Sequence, residues 1–307
     1  MGFVADDAKW PMSIRPTPGR TFDQTEAASS SCGAMCRLLG VLASEPTDFR
    51  FSLKDAPRSL ANLSREHPHG WGIATYSDDA GWSIRKRPEC ALEDAVFDEV
   101  ACSSRGEVLL AHVRQKTVGP MTLANTHPFQ QGRWMFAHNG TIEDIAYLES
   151  QISPQRRAEV VGDTDSELFF AYLLTRLDAA NLTEMRAGPL TDAAIARAMR
   201  DALKRASFGA CNFLLSNGET LYAHRCGRSL FVLRRTPRDR LLPEREVEEG
   251  VSLETHWSPN RHAVFLASEA LSDEPWEELP EGSLVRVDRR PAVSFQSLGN
   301  TLTGLAA

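Results

Sequence analysis

The sequence has few cysteines and no long apolar segment. Its 307 residues include six cysteines, and none of them forms the C-x-x-C pair of zinc ribbons and thioredoxin-like redox sites. We therefore expect reduced thiols. No apolar run approaches the roughly 20 residues of a membrane-spanning helix, and the N-terminus lacks the apolar core of a signal peptide. These absences predict a cytoplasmic protein that does not enter a membrane.

Positive charge and cofactor motifs are also scarce. Lys and Arg number 34 against 41 Asp and Glu, and the resulting net charge of -7 disfavours nucleic acid as a partner. The sequence contains no P-loop and no G-x-G-x-x-G segment. Among eight histidines there is no H-E-x-x-H, and the closest pair, His67-Pro68-His69, lacks helical spacing. We expect small-molecule or protein ligands, with no metal ion and no cofactor.

The start of the chain differs in character from the rest. Residues 1–35 contain three prolines, a run of three serines and no apolar periodicity. We interpret them as an N-terminal tail or propeptide, and residues 36–307 as one domain. The segment 234–249, rich in Arg, Pro and Glu, is interpreted as a solvated excursion from that domain.

Within the predicted domain, the patterns indicate strands, then helices, then strands. Helices are predicted after Thr164 and between Asp192 and Ser207, and Asn217-Gly218 is a strong hairpin signal. This order favours an α+β fold in which sheets form layers and helices lie outside them. The predicted strands are 36–43, 72–76, 82–86, 108–113, 134–138, 212–215, 220–223, 229–233, 262–267 and 283–287.

Cys36 is the first candidate for catalysis, because it stands where an apolar strand begins. A single cysteine in this position is commonly only a small buried apolar residue. A cysteine at the first position of a mature chain, however, carries its own base in the α-amine, so it needs no histidine partner to become a nucleophile. Met35 precedes it, as would be expected at a start codon or a processing point.

Asn139-Gly140 follows the predicted strand 134–138 and has two interpretations. Asn and Gly tolerate positive φ, so the pair could simply form a turn. Alternatively, the Asn side-chain amide and the Gly N–H could together form an oxyanion hole for a tetrahedral intermediate.

Arg114 and Asp165 are candidates for substrate binding. Arg114 follows an apolar strand, where it is either a solvated strand-end residue or a two-pronged ligand for a carboxylate. Thr164 and Glu167 fit a helix capping box, which leaves Asp165 as an additional carboxylate able to hold an ammonium group. Together, Arg114 and Asp165 fit the head group of an α-amino acid.

Six segments, in this order, resemble the class II glutamine amidotransferases, which are N-terminal nucleophile hydrolases. Their similarity is strongest to the short, single-domain branch that includes the γ-glutamyl-hercynylcysteine sulfoxide hydrolase. The segments are MCRLLG (35–40), HGWGIA (69–74), AHVR (111–114), NTHPF (125–129), FAHNG (136–140) and GDTDSE (162–167).

The resemblance implies a four-layer αββα sandwich and a set of residue roles. Cys36 would be the nucleophile and its α-amine the base, and the oxyanion hole would consist of Asn139 and Gly140. Arg114 and Asp165 would bind the α-carboxylate and α-ammonium groups of the substrate, with Thr117 as a weaker match.

The implied function is hydrolysis of a γ-glutamyl amide, either glutamine or a γ-glutamyl conjugate, through a thioester on Cys36. Because Cys36 is internal, activity requires removal of residues 1–35, or translation from Met35 followed by removal of that methionine. Two alternatives remain open. The chain could be a glutaminase subunit that supplies ammonia to a partner enzyme chain, or it could be an uncleaved, non-catalytic γ-glutamyl-binding protein.

Overall fold

The computed structural model describes residues 36–116, 119–205, 207–236, 261–289 and 293–298. The predicted tail 1–35, Thr117 and most of the predicted excursion 234–249 lie outside these ranges, so those predictions remain untested. No helix in the described ranges is long and apolar enough to cross a membrane.

The strands of the described residues, in chain order, are β1 (Arg37–Asp48), β2 (Trp71–Ser77), β3 (Gly81–Arg87), β4 (Arg105–Val113), β5 (Phe129–Gln131), β6 (Trp134–Ile142), β7 (Gly209–Ser216), β8 (Thr220–His224), β9 (Phe231–Arg235), β10 (Ala263–Ala267), β11 (Glu277–Glu278), β12 (Ser283–Asp288) and β13 (Val293–Ser297). The helices are α1 (Leu60–Leu63), α2 (Ala95–Ser103), α3 (Ile145–Gln151), α4 (Pro154–Ala158), α5 (Asp165–Ala179) and α6 (Pro189–Leu203), with a π-helical turn at Phe51–Asp55 and a 3₁₀ turn at Ala91–Glu93.

β1 is the central strand of a seven-stranded sheet in the order β11-β9-β10-β1-β4-β2-β3. It pairs antiparallel with both β4 and β10, so that Leu39 lies opposite Ala111 on one side and Ala267 on the other. Leu38 faces the second sheet, whereas Leu39 faces a helical layer. Because both faces are covered, the strand is apolar at successive positions instead of alternating with polar residues.

The second sheet has the order β13-β12-β8-β7-β6-β5 among the described residues. The predicted hairpin joins β7 and β8, and the Asn217 side chain accepts hydrogen bonds from the backbone N–H groups of Glu219 (3.1 Å) and Thr220 (2.9 Å). Gly218 has a φ of 89°, a conformation in which a Cβ atom would be strained. These local interactions explain why a two-residue signal correctly predicted this turn.

Apolar side chains between the two sheets form the central core, and each outer sheet face packs on helices. The inner cluster draws on both sheets, for example through Leu110 of β4 and Leu214 of β7. The outer face of the six-stranded sheet packs on α5 and α6, and that of the seven-stranded sheet packs on α2. The predicted αββα sandwich is therefore confirmed.

Several element boundaries differ from the prediction. β6 runs through residues 139 and 140 to Ile142, past the predicted end at 138, and β9 is displaced two residues beyond the predicted 229–233. α6 begins at Pro189, before the predicted Asp192. The differences in β6 and β9 arise because strand ends are determined by pairing with distant segments, which local patterns do not record.

Candidate active site

Cys36 lies immediately before the central strand β1 and is half-buried. Its Sγ accepts a hydrogen bond from the Gln115 N–H (3.2 Å) and lies 3.3 Å from the Gln115 carbonyl oxygen. Burial raises the pKa of the Cys36 thiol, while the Gln115 main chain and the Arg114 guanidinium act in the opposite direction. The resulting thiol keeps its proton until a base removes it.

Arg114 follows β4 and lies beside the thiol. It is 3% exposed, so it is not the solvated strand-end residue that its position also allowed. Burial lowers the pKa of Arg114, and electrostatic interactions with Cys36 and Asp165 partly offset this effect. Arg114 Nη1 also donates a hydrogen bond to the Pro120 carbonyl oxygen (3.1 Å), which connects it to the loop that follows.

Asp165 is the first residue of α5, and its carboxylate is directed back toward the sheet. Its Oδ2 accepts a hydrogen bond from the Ile142 N–H at the end of β6 (2.7 Å). The Arg114 charge lowers the pKa of the Cys36 thiol, and the Asp165 charge raises it. Both charged groups therefore lie within electrostatic range of the same sulfur. Three candidate residues from three separate elements therefore meet at one place.

The start of α5 explains how Asp165 is held. Thr164 Oγ1 accepts a hydrogen bond from the Glu167 N–H (3.3 Å), as the capping pattern predicts. The Glu167 carboxylate instead accepts hydrogen bonds from the N–H groups of Val161 (2.9 Å) and Gly162 (2.7 Å). It thereby holds the loop that leads into the helix.

Asn139 and Gly140 lie inside β6, opposite Asn212 and Cys211 of β7, so the turn interpretation is wrong. The side chain of Asn139 is buried, and its Nδ2 donates a hydrogen bond to Ser268 Oγ (3.2 Å). A Cβ at position 140 would lie 1.9 Å from the Ala210 carbonyl oxygen. Only glycine therefore permits this close approach of β6 and β7.

Ser268 is a site residue that the sequence reasoning missed. Its hydroxyl accepts hydrogen bonds from both the Leu38 N–H (2.9 Å) and the Asn139 amide (3.2 Å), and its own N–H donates to the Leu38 carbonyl oxygen (3.1 Å). It therefore links the strand that follows Cys36 to the proposed oxyanion donor. No local pattern marks it, because its partners lie 230 and 129 residues away along the chain.

Buried histidines surround this region without forming hydrogen bonds to the thiol. The rings of His112 and His127 have centroids 4.3 Å apart, and burial lowers the pKa of both. His138 Nδ1 forms a hydrogen bond with Ser166 Oγ (2.9 Å), and burial lowers the pKa of His138 as well. Among the described residues, the hydrogen bonds of Cys36 Sγ run to the main chain of Gln115 and not to a histidine.

Sequence comparison with known proteins shows the family of this chain. The sequence profile of the class-II glutamine amidotransferases matches residues 35–300. The protein described as putative glutamine amidotransferase YafJ, of Escherichia coli K12, is 31% identical over 81% of this chain and 95% of its own length. The gamma-glutamyl-hercynylcysteine sulfoxide hydrolase of Mycolicibacterium smegmatis is 29% identical over 76% of this chain and 92% of its own length.

Solved structures extend the comparison at the level of the fold. Glutamine phosphoribosylpyrophosphate amidotransferase of B. subtilis matches with a TM-score of 0.55 at 15% identity, and the match covers 86% of this chain and 50% of that one. This likeness shows that the chain shares the fold of two sheets between helical layers, with Cys36 just before the central strand β1. The chain belongs to the class II glutamine amidotransferase family and is an enzyme of the amidohydrolase type.

Proposed function

We propose that this enzyme hydrolyses a γ-glutamyl amide through a γ-glutamyl thioester on Cys36. The observation that carries the proposal is the placement of one cation and one anion, Arg114 and Asp165, within electrostatic range of the same sulfur. A substrate whose α-carboxylate meets Arg114 and whose α-ammonium meets Asp165 presents its γ-carbonyl carbon to that sulfur. Thr117 is proposed as a further contact to the head group.

The proposed reaction has two steps. The α-amine of Cys36 takes the thiol proton as Sγ attacks the γ-carbonyl carbon, and the oxyanion is held by the Asn139 amide and the Gly140 N–H. Collapse of this intermediate breaks the carbon–nitrogen bond, and the amine leaves with the proton. Water then attacks the thioester carbon, the carbon–sulfur bond breaks, and glutamate leaves while a proton from the water restores the thiol.

This mechanism requires a free α-amine on Cys36, since a peptide-bonded nitrogen is not a base. We therefore propose that the active form begins at Cys36, after residues 1–35 have been removed or were never translated. The raised pKa of the thiol and its main-chain hydrogen bonds support this proposal, because they leave the thiol without another base among its described contacts.

Incubation of purified enzyme with glutamine or a γ-glutamyl conjugate and hydroxylamine tests the thioester. We expect γ-glutamyl hydroxamate to form, and the Cys36→Ala variant to form none. Intact mass of the active fraction should correspond to a chain that starts at Cys36. Full activity in protein that retains residues 1–35 would refute the α-amine mechanism.

Two relatives are named as hydrolases of γ-glutamyl-hercynylcysteine sulfoxide. We therefore propose to test γ-glutamyl conjugates as substrates in addition to glutamine. Release of ammonia or amine by the purified chain alone favours a self-sufficient hydrolase. Turnover that appears only with a second protein present would favour the alternative, in which the chain supplies ammonia to a partner enzyme.

A further inference from the structure

Cys211, His224 and Cys226 form a second reactive cluster that the proposed mechanism does not use. The two sulfur atoms and one ring nitrogen of His224 all lie within 4.8 Å of one another. Each residue is at most 1% exposed, and both cysteines are free thiols. The cluster lies on the face of the six-stranded sheet that packs on α5 and α6, opposite the face that packs on the other sheet.

The ring of His224 has a defined proton arrangement. Its Nδ1 lies 2.8 Å from the Ser283 carbonyl oxygen, and because a carbonyl can only accept, Nδ1 carries the proton. Nε2 is buried and presents a lone pair, and contacts with Cys211 and His224 lower the pKa of the Cys226 thiol. A ring nitrogen oriented by a backbone carbonyl on its opposite side is typical of metal-binding histidines.

Backbone hydrogen bonds hold the two thiols in place. The Cys211 N–H donates to the Cys226 carbonyl oxygen (2.9 Å), and the Cys226 N–H donates to the Asn212 side-chain oxygen (2.7 Å). The ring of Phe213 lies beside His224, with centroids 5.4 Å apart. Cys211 thus lies on β7, His224 at the end of β8 and Cys226 in the turn that follows, which favours a rigid site over an adaptable one.

We propose that Cys211, His224 and Cys226 bind one Zn²⁺ ion. Zinc–sulfur bonds of about 2.3 Å and a zinc–nitrogen bond of about 2.0–2.1 Å place the ligand atoms of a tetrahedral site roughly 3.5–3.8 Å apart. Small side-chain rotations bring the three atoms, already within 4.8 Å of one another, to that spacing. A water molecule completes the tetrahedron.

Charge balance favours a divalent ion at this buried site. Each thiol loses its proton to solvent on binding, so two thiolates and a neutral imidazole cancel the charge of Zn²⁺. A monovalent ion such as Cu⁺ would leave one uncompensated negative charge in the apolar core, which is costly. The spacing of Cys211, His224 and Cys226 along the chain matches no common zinc motif, which explains why the sequence predicts no metal.

The position of the site indicates a structural role. Cys211 lies directly opposite Gly140 in the pairing of β7 with β6, so zinc there would brace the strand behind the proposed oxyanion hole. The ion would link β7 to the turn after β8. It would stabilise the fold without contacting the substrate.

The test uses the full chain in a Cys36→Ala background, which removes the proposed nucleophile as a competing thiol. We expect elemental analysis after purification without chelators to find one zinc per chain. His224→Gln and Cys226→Ser should lose the bound zinc. Cys90→Ser is the matched control, because Cys90 is a half-buried free thiol outside the cluster, and it should keep the zinc.

A second measurement keeps the proposal testable if either variant fails to fold. Cobalt exchanged into the Cys36→Ala chain should show the visible bands of a tetrahedral ion and charge transfer from thiolate. An octahedral cobalt spectrum without thiolate charge transfer would overturn the proposal. Zinc retained by both folded cluster variants, absence of stoichiometric zinc, or a disulfide between Cys211 and Cys226 in the freshly purified chain would overturn it as well.

Discussion

We expect single side chains around Cys36 to determine which parts of a substrate can bind and in which orientation. Arg114 and Asp165 carry opposite charges within electrostatic range of the thiol, and both are buried. Burial strengthens their interaction with a charged ligand, because few water molecules compete for it. A zwitterionic α-amino acid head group satisfies both charges, whereas a ligand with one charge leaves the other unpaired.

Replacing Asp165 with Asn tests this assignment at the residue scale. The Asn side-chain oxygen can still accept the hydrogen bond from Ile142 N–H, so the fold should be retained while the charge is lost. We expect KM to rise by about 10- to 100-fold, as for the loss of a charged hydrogen bond worth about 1.5–3 kcal/mol, with a smaller change in kcat.

Arg114→Lys is the companion variant. A lysine point charge does not reproduce a planar two-pronged contact, so we expect the KM of this variant to exceed that of the wild type. Steady-state kinetics with glutamine and with an analogue lacking the α-amine provide the measurement. If wild-type enzyme used both substrates equally well, the role of Asp165 would be refuted.

At the scale of elements, the candidate site depends on how strands from both sheets are joined. β1 contains the segment after Cys36, and β6 contains Asn139. Ser268 is the residue that directly follows β10. The Ser268 hydroxyl contacts both other elements, and Arg37 is tied to the neighbouring Glu269 by an ion pair (2.7 Å). The relative position of the segment after Cys36 and of Asn139, the proposed oxyanion donor, therefore depends on the end of β10.

Ser268→Ala should affect both stability and turnover. It leaves the buried Leu38 N–H without its side-chain acceptor, which costs about 1–3 kcal/mol in the free energy of unfolding. It also frees the Asn139 amide from its acceptor, so we expect kcat to fall by roughly 10- to 100-fold through misplacement, with little change in KM. Urea unfolding and steady-state kinetics measure the two effects.

Two further variants separate positioning from general destabilisation. Ser268→Thr keeps the hydroxyl and should recover most of kcat. Ser103→Ala removes an exposed hydroxyl that bonds only within its own region of α2, and should change neither quantity appreciably. Equal kcat in Ser268→Ala and wild type would remove Ser268 from the positioning role.

For the molecule as a whole, buried histidines couple folding to pH. Burial lowers the pKa of His67 to about 4 and that of His112 to about 3, and it lowers the pKa of His127 as well. The ring nitrogens of His67 and His127 lack hydrogen-bond partners among the described residues, and a main-chain contact at His138 offsets the burial of His112 only in part, so protonation in the folded state is poorly compensated. In the unfolded chain, the same groups take up protons near pH 6.5.

The free energy of unfolding should therefore decrease as the pH falls below about 6.5. The unfolded state binds more protons there, and each such histidine contributes up to about 1.4 kcal/mol per pH unit. Above pH 6.5 these groups are neutral in both states, and their contribution no longer depends on pH. Urea unfolding at several pH values between 7.5 and 4.5 measures the slope.

His127→Phe should reduce this slope, because the ring packs on His112 and Phe129 and an aromatic replacement keeps that packing while removing the titration. The exposed His262→Gln is the control. An unchanged slope in His127→Phe would show that this residue does not contribute to the pH dependence.

Much of the architecture and the candidate site could be predicted from the sequence where short-range signals exist. The apolar run after Cys36 indicated a strand, Asn217-Gly218 indicated a hairpin, and Thr164 indicated a helix start. Each depends on backbone preferences or hydrogen bonds within a few residues, so a single local segment contains the information. The resemblance of six ordered segments then implied the sandwich and the roles of the candidate residues.

Other features are decided only by the tertiary structure. Asn139-Gly140 is compatible with a turn by local preference, but pairing with β7 makes it part of a strand. Ser268 joins the site through partners more than one hundred residues away, and the cluster around His224 forms only when β7 and β8 pair. The physical reason is that these arrangements depend on packing and hydrogen bonds between segments distant in the chain, whose energies no local pattern of residue types records.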